Sequence, residues 1–130
     1  MIILFMAVLA ATQAQATPDC SNPLTQADMN QCEALAFQRA DAEMNRVWTE
    51  VRATMQQRDR EWPRDTADSR PGFWATTLQS QRAWLRYRDA QCIVKGYAAR
   101  GGTMESMLIS GCRRQLTEAR TTELRSLTEN

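Results

Sequence analysis

Between Met29 and Met55 the apolar residues return every three or four positions: Met29, Cys32, Ala36, Ala40, Met44, Val47, Trp48, Val51 and Met55. That spacing is one face of an α-helix, and it sets the fold class before any other feature is read. The helix follows a turn, Asn22-Pro23-Leu24-Thr25, in which Thr25 and Asp28 have the spacing of a capping box in its shorter acidic form. It is expected to end near Arg58, ahead of Trp62-Pro63, because the residue before a proline disfavours helix. Such a helix is roughly 50 Å long at about 1.5 Å per residue.

Asp59 to Gly72 is a polar interruption with two prolines, a glycine and dense mixed charge, and it reads as a connection. A second helix is predicted from about Phe73 to Lys95, with Trp74, Leu78, Gln81, Trp84 or Leu85, Arg88 and Cys92 facing inward. Gly96 and Gly101-Gly102 then bracket a loop, and Thr103 is the expected N-cap of a third helix. That helix runs from about Met104 to Leu127, with Leu108, Cys112, Leu116, Ala119, Glu123 or Leu124, and Leu127 along one side. The fold class is therefore all-α. It is a small antiparallel bundle of three helices, or four if the first is locally broken.

The bundle is preceded by an apolar run from Met1 and then by Ala14-Gln15-Ala16, a small-x-small cleavage pattern. The run is shorter than the about 20 residues a bilayer span needs. Residues 1–16 are expected to be a signal peptide and residues 17–130 one helical domain. The run departs from the usual pattern in having no Lys or Arg before it, and an uncleaved anchor is the alternative. Cys20 lacks the small-apolar context of a lipidated cysteine. A periplasmic or secreted location follows, with no stable membrane insertion after cleavage.

Four cysteines in a short exported chain point to two disulfides. In an up-down-up bundle Cys20, Cys32, Cys92 and Cys112 all fall at one end, so proximity permits all three pairings. The preferred one is Cys20–Cys32 with Cys92–Cys112. A metal or redox site is disfavoured, because the chain has no CxxC spacing and no histidine. Without histidine there is also no histidine-based triad or general base.

Asp41 and Asn45 lie four apart on one face of the first helix. Gln81, Arg88 and Asp89 are similarly placed on the second, and Arg120 on the third. The expected role of these six is an interhelical polar network that fixes helix register. The alternatives are partner binding, or an acid–base pair of Asp41 with Asp89 or Glu33. Trp48, Trp74 and Trp84 take core-facing positions, whereas Trp62 sits in the charged connection, either as an exposed anchor or as cover for a bundle end. Fifteen of the sixteen basic residues are arginine, with Lys95 alone, a count that coding bias explains as well as carboxylate recognition does.

Several stretches together resemble a known family. These are two N-terminal cysteines, Ala40-Asp41-x-x-Met44-Asn45, and Gln81-Arg82-Ala83-Trp84-Leu85-x-Tyr87-Arg88-Asp89-Ala90-x-Cys92. Gly101-Gly102, Cys112 and Leu116-Thr117-x-x-Arg120-Thr121-x-x-Leu124 complete the set. The chain is similar, from Cys20 to Leu127, to the lysozyme inhibitor LprI N-terminal-domain family of exported bacterial proteins. The resemblance implies a small helical disulfide-linked fold and inhibition of a lysozyme as the activity.

On that basis the leading expectation is a protein-binding module that occludes the cleft of a peptidoglycan-cleaving lysozyme, with no enzymatic activity and no cofactor. Lysozymes cleave through two cleft carboxylates, which an arginine on a protruding loop could pair. Candidate loops are Arg58–Gly72 and Gly96–Gly102, with Trp62, Arg64, Arg70 and Arg100 as partner-binding residues. The second expectation is a non-inhibitory envelope accessory protein acting through helix-face contacts, which an exposed apolar patch would mark. A wall hydrolase needs two close carboxylates in a cleft. A net charge of +1 shows no dominant basic surface for nucleic acid, and no glycine-rich phosphate loop is present for a cofactor.

Overall fold

In a computed structural model, residues 16–63 and 67–129 are described. Of the expected signal peptide only Ala16 falls among them, and Arg64 lies outside. Among the described residues there are three long helices, α1 (Gln26–Glu61), α2 (Phe73–Gly96) and α3 (Glu105–Ser126), with one 3-10 turn at Tyr97–Ala99. The first helix is unbroken over 36 residues, about 54 Å, so the four-helix alternative does not apply.

The capping box at Thr25 forms. Its hydroxyl accepts from the Asp28 N–H at 3.0 Å, and the Asp28 carboxylate accepts from the Thr25 N–H at 3.2 Å. Such a cap stabilises by about 1 kcal/mol. α1 continues to Glu61, three residues past Arg58. The proline restriction acts on Trp62 alone, whose ψ of 118° ends the helix.

Asp59 belongs to the helix and not to the connection, and it does tertiary work. Its carboxylate accepts from the N–H groups of Phe73 at 2.7 Å and Trp74 at 3.0 Å, and so caps α2 from outside. Gly72 stands at the N-cap because a Cβ there would lie 2.5 Å from Asp59 Oδ1. Thr103, in contrast, is not the cap of α3. Met104 takes that position in helical conformation, without a side-chain cap. The Thr103 carbonyl instead accepts from Asn30 Nδ2 at 2.8 Å, which ties the loop to α1.

Cross-helix pairs fix the topology as up-down-up. Glu33 meets Arg114 and Glu43 meets Arg125, so α1 and α3 run parallel. Asp59 meets Phe73 and Asp41 meets Arg88, so α2 runs against them. The core is Met44, Val47, Val51 and Met55 of α1 with Leu124 of α3, flanked by Trp48, Phe73, Trp74, Trp84 and Leu85. Each such buried aliphatic stabilises by about 1.5–3 kcal/mol. α1 packs most extensively on α3 and least on α2, where the tryptophans hold the backbones apart.

The inner face of α2 is the expected one, with Gln81, Arg88 and Cys92 buried. The inner face of α3 is rotated from the expected one. Thr117, Thr121 and Leu124 are its buried residues, while Ala119 and Leu127 are exposed and Leu108, Cys112 and Leu116 lie at the edge. Leucine spacing suggested the wrong centre because two threonines occupy it. Both are satisfied there: Thr121 donates to the Thr117 carbonyl at 2.8 Å, and the Thr117 hydroxyl accepts from Arg88 at 3.3 Å. Two disulfides close the same end of the bundle, Cys20–Cys32 and Cys92–Cys112.

Candidate functional site

Arg88 sits at the centre of the polar interior, with its side chain 9% exposed. It donates to Asp41 at 2.9 Å, to Asp89 at 3.0 Å and to Thr117. Its guanidinium lies between the rings of Phe37 and Trp84, at 5.2 and 5.3 Å. Asn45 donates to Asp41 at 3.4 Å from the exposed side. Gln81 and Arg120 form a second cluster. Arg120 donates to Gln81 at 3.0 Å and to Ser80 at 3.0 Å and pairs with Glu123, while Gln81 donates to the Met44 sulfur at 3.6 Å. The six expected residues thus form two clusters. What joins them is Trp84, whose ring lies under Arg88 on one side and near Arg120 at 5.8 Å.

Phe37 and Thr117 complete the Arg88 site, and sequence reasoning did not single them out. Thr117 follows Leu116 in a recognised stretch, which was its one visible signal. Arg113 approaches Asp89 at 3.4 Å without hydrogen-bond geometry, so its buried Nε has no hydrogen-bond partner. Asp41 and Asp89 are both turned to Arg88, and Glu33 to Arg114 at 3.1 Å. None of the three carboxylates lines the large cavity described next. No group of metal-ligating residues occurs among the described residues.

The two candidate loops lie at opposite ends of the bundle. At the end far from the disulfides, α3 stops short and leaves a cavity of about 680 Å³ between Met55, Phe73 and Leu127 on one side and the 68–72 segment on the other. Trp62 borders it, 55% exposed, with its ring edge-on to Phe73 at 5.7 Å. Trp62 is thus exposed and also covers the bundle end. Arg70 is committed locally, with two parallel hydrogen bonds of 2.8 Å to Asp68. That pairing pulls the Asp68 carboxyl down to about 2 and raises Arg70.

The disulfide end presents a different surface. The 3-10 turn at Tyr97–Ala99 leads to Arg100, whose guanidinium lies 4.5 Å over the Tyr97 ring. Arg100 is exposed and makes no ion pair with a described residue. Gly101 turns the chain at φ +77°, a conformation L side chains resist, and its N–H donates to Glu105 at 2.8 Å. The Cys92–Cys112 bridge, the Asn30 tether and this turn hold the tip from three sides. Gly96 lets α2 approach α3 closely here, since a Cβ would lie 2.5 Å from Ile109.

The family model described as lysozyme inhibitor LprI matches residues 18–124. The chain belongs to that family. An uncharacterized protein of Rhizobium meliloti (strain 1021) is 41% identical over 128 residues, covering 98% of this chain and 91% of the relative. No solved structure matches significantly. For this LprI-family chain, the matched stretch contains both disulfides, the whole Arg88 cluster and both bundle ends. Among the described residues no helix is long and apolar enough to cross a membrane.

Proposed function

We propose that the chain is an exported inhibitor that occupies the cleft of a peptidoglycan-cleaving lysozyme with its Tyr97–Gly102 tip. Family membership supports the class of activity. Arg100 carries the choice of tip. A lysozyme cleft holds two carboxylates, and a guanidinium is the side chain best suited to pair with one. Of the three arginines expected to reach a partner, Arg70 is already bonded to Asp68 and Arg64 lies outside the described residues. Arg100 is exposed, without a carboxylate, and stacked on Tyr97 in a stapled turn. A tip held in one shape before binding loses little entropy on docking. The two disulfides fit an oxidising compartment, periplasmic or extracellular.

The test follows the turbidity of a peptidoglycan suspension with several animal and bacterial lysozymes and the oxidised Thr17–Asn130 chain. Dose-dependent protection is expected. Arg100→Ala should weaken it about tenfold or more, a loss of about 1.4 kcal/mol, whereas Trp62→Ala and Arg70→Ala should leave it unchanged. Loss in the Trp62 and Arg70 variants alone would move the contact to the other end. No protection against any enzyme by folded protein would remove the inhibitor reading.

A further inference from the structure

α2 carries exposed apolar residues that the bundle does not use. Ala83, Tyr87, Ala90 and Val94 are all exposed and recur at spacings of four, three and four, and exposed Tyr97 of the following 3-10 turn continues the series. That is the seam of a heptad repeat, on the side opposite buried Gln81, Arg88 and Cys92. Tyr87 is 55% and Val94 60% exposed, and Ile93 beside them is also exposed. The outer sides of α1 and α3 differ. Apart from Leu127 at the chain end, the large exposed apolar residues lie on no other long helix among the described residues. An exposed apolar stripe of this kind marks an interaction surface.

Charge indicates what covers it. On the other two helices Arg46 pairs with Glu43 and Glu50, half-buried Arg114 with Glu33 and Glu118, and Arg125 with Glu43, and exposed Arg52 stacks on the Trp74 ring, while exposed Arg39 and Arg60 of α1 make no ion pair with a described residue. On α2, Arg82, Arg86 and Lys95 are exposed and make no ion pair with a described residue. The one carboxylate of α2, Asp89, is held by Arg88 and Arg113. The outer face of α2 is therefore an apolar seam with Arg82 and Arg86 beside it and no free acid among the described residues, while Lys95, seven residues after Arg88, lies on the inner side. A second copy packed seam to seam would set cation near cation, which is unfavourable. The alternation of small Ala83 and Ala90 with large Tyr87 and Val94 offers holes and knobs, as helix-on-helix packing requires, and provides little apolar bulk for insertion into lipid.

We infer that the outer face of α2 is a docking surface for an amphipathic helix of another protein, with carboxylates flanking its apolar stripe. The occupant completes a four-helix arrangement around α2. This surface meets the Arg100 tip only at Tyr97 and does not depend on lysozyme inhibition.

The experiment uses the oxidised Thr17–Asn130 chain and a labelled synthetic helix with leucine along one stripe and glutamate on its flanks. A counterpart carries lysine on the flanks. Fluorescence anisotropy should show micromolar binding of the glutamate helix and binding at least about tenfold weaker for the lysine helix. Val94→Asp and the double variant Arg82→Glu with Arg86→Glu should each weaken the glutamate helix about tenfold or more. Circular dichroism should report unchanged folding, since all three positions are exposed. The same variants should keep any lysozyme inhibition that Arg100→Ala removes. Equal binding of the two helices, no binding, or binding indifferent to the α2 variants would overturn the inference. So would capture by phosphatidylglycerol vesicles in place of the helix, which would assign the face to lipid. A dimer seen by light scattering and dissolved by Val94→Asp would assign it to a second copy.

Discussion

The two ends of the bundle solve the same problem, that of joining helices, in opposite ways. One end is held covalently, by Cys20–Cys32 and Cys92–Cys112, and its charged tip residue Arg100 pairs with no carboxylate among the described residues. The other end has no covalent link, and its charges hold it together. Asp59 caps α2, Asp68 binds Arg70, and Trp62 leans on Phe73. The contrast explains why Arg100 is available to a partner while Arg70 is not. A charge that closes a loop is no longer available to a partner, and a disulfide releases charge from that duty.

The largest expected effect tests the covalent end. Replacing Cys92 and Cys112 together by serine should cost about 2–5 kcal/mol, read as a lowered midpoint in urea unfolding. If inhibition falls as well at temperatures where the variant stays folded, the staple also shapes the tip. Next comes the interior that both ends share. Arg88→Ala removes the common partner of Asp41 and Asp89 and should cost about 3 kcal/mol or more. If Arg88→Met with Asp41→Asn leaves the melting temperature unchanged while abolishing binding, the network is functional and not structural.

The uncrosslinked end gives smaller effects. Asp59→Ala should cost about 1–2 kcal/mol through the lost cap of α2. Gly72→Ala should also destabilise, because its Cβ would meet Asp59 Oδ1. In the Asp59→Ala background that second cost should disappear, and a double-mutant cycle measures it. Additive costs would show that Gly72 is required for another reason.

Acid gives the smallest effect. Arg70 holds Asp68 at about 2, and Arg46, with help from Arg125, holds Glu43 at about 2. Both carboxylates are depressed in the folded chain. Their contribution is therefore fully present above the ordinary carboxylate range and is lost as pH falls from there through about 2. The pairs are exposed, so the melting temperature should stay flat from neutral pH to about 5 and decline gently below. Asp68→Asn should remove part of that decline without altering the neutral value by more than a degree or so.

Much of the fold was legible because its determinants are local. The Thr25–Asp28 box, the 29–55 stripe and the inner side of α2 depend on spacing within one segment, and each appears as read. The favoured disulfide pairing also forms, one of the three that helix direction allows by bringing the four cysteines to one end. The candidate site was less legible. Asp41, Asn45, Gln81, Arg88, Asp89 and Arg120 were readable as polar residues for an interhelical network, but their division into two clusters and the parts of Phe37, Thr117 and the Trp84 ring were not. Threonine in a helix carries no mark of burial until a neighbouring helix supplies its hydrogen bonds.

The sequence by itself determined an all-α bundle, the N-cap of α1 at Thr25 and a cysteine-closed end. Periodicity, proline and chain direction act along a single strand of chain, so they can be read there. Only the tertiary structure decided the rotation of α3 onto Thr117 and Thr121, the capping of α2 by Asp59 and the loss of Thr103 as a cap. It also left the seam of α2 exposed and placed Arg70 beside Asp68, while Arg100 pairs with no carboxylate among the described residues. These depend on which groups come within a few ångströms across helices, and spacing along the chain does not encode that distance.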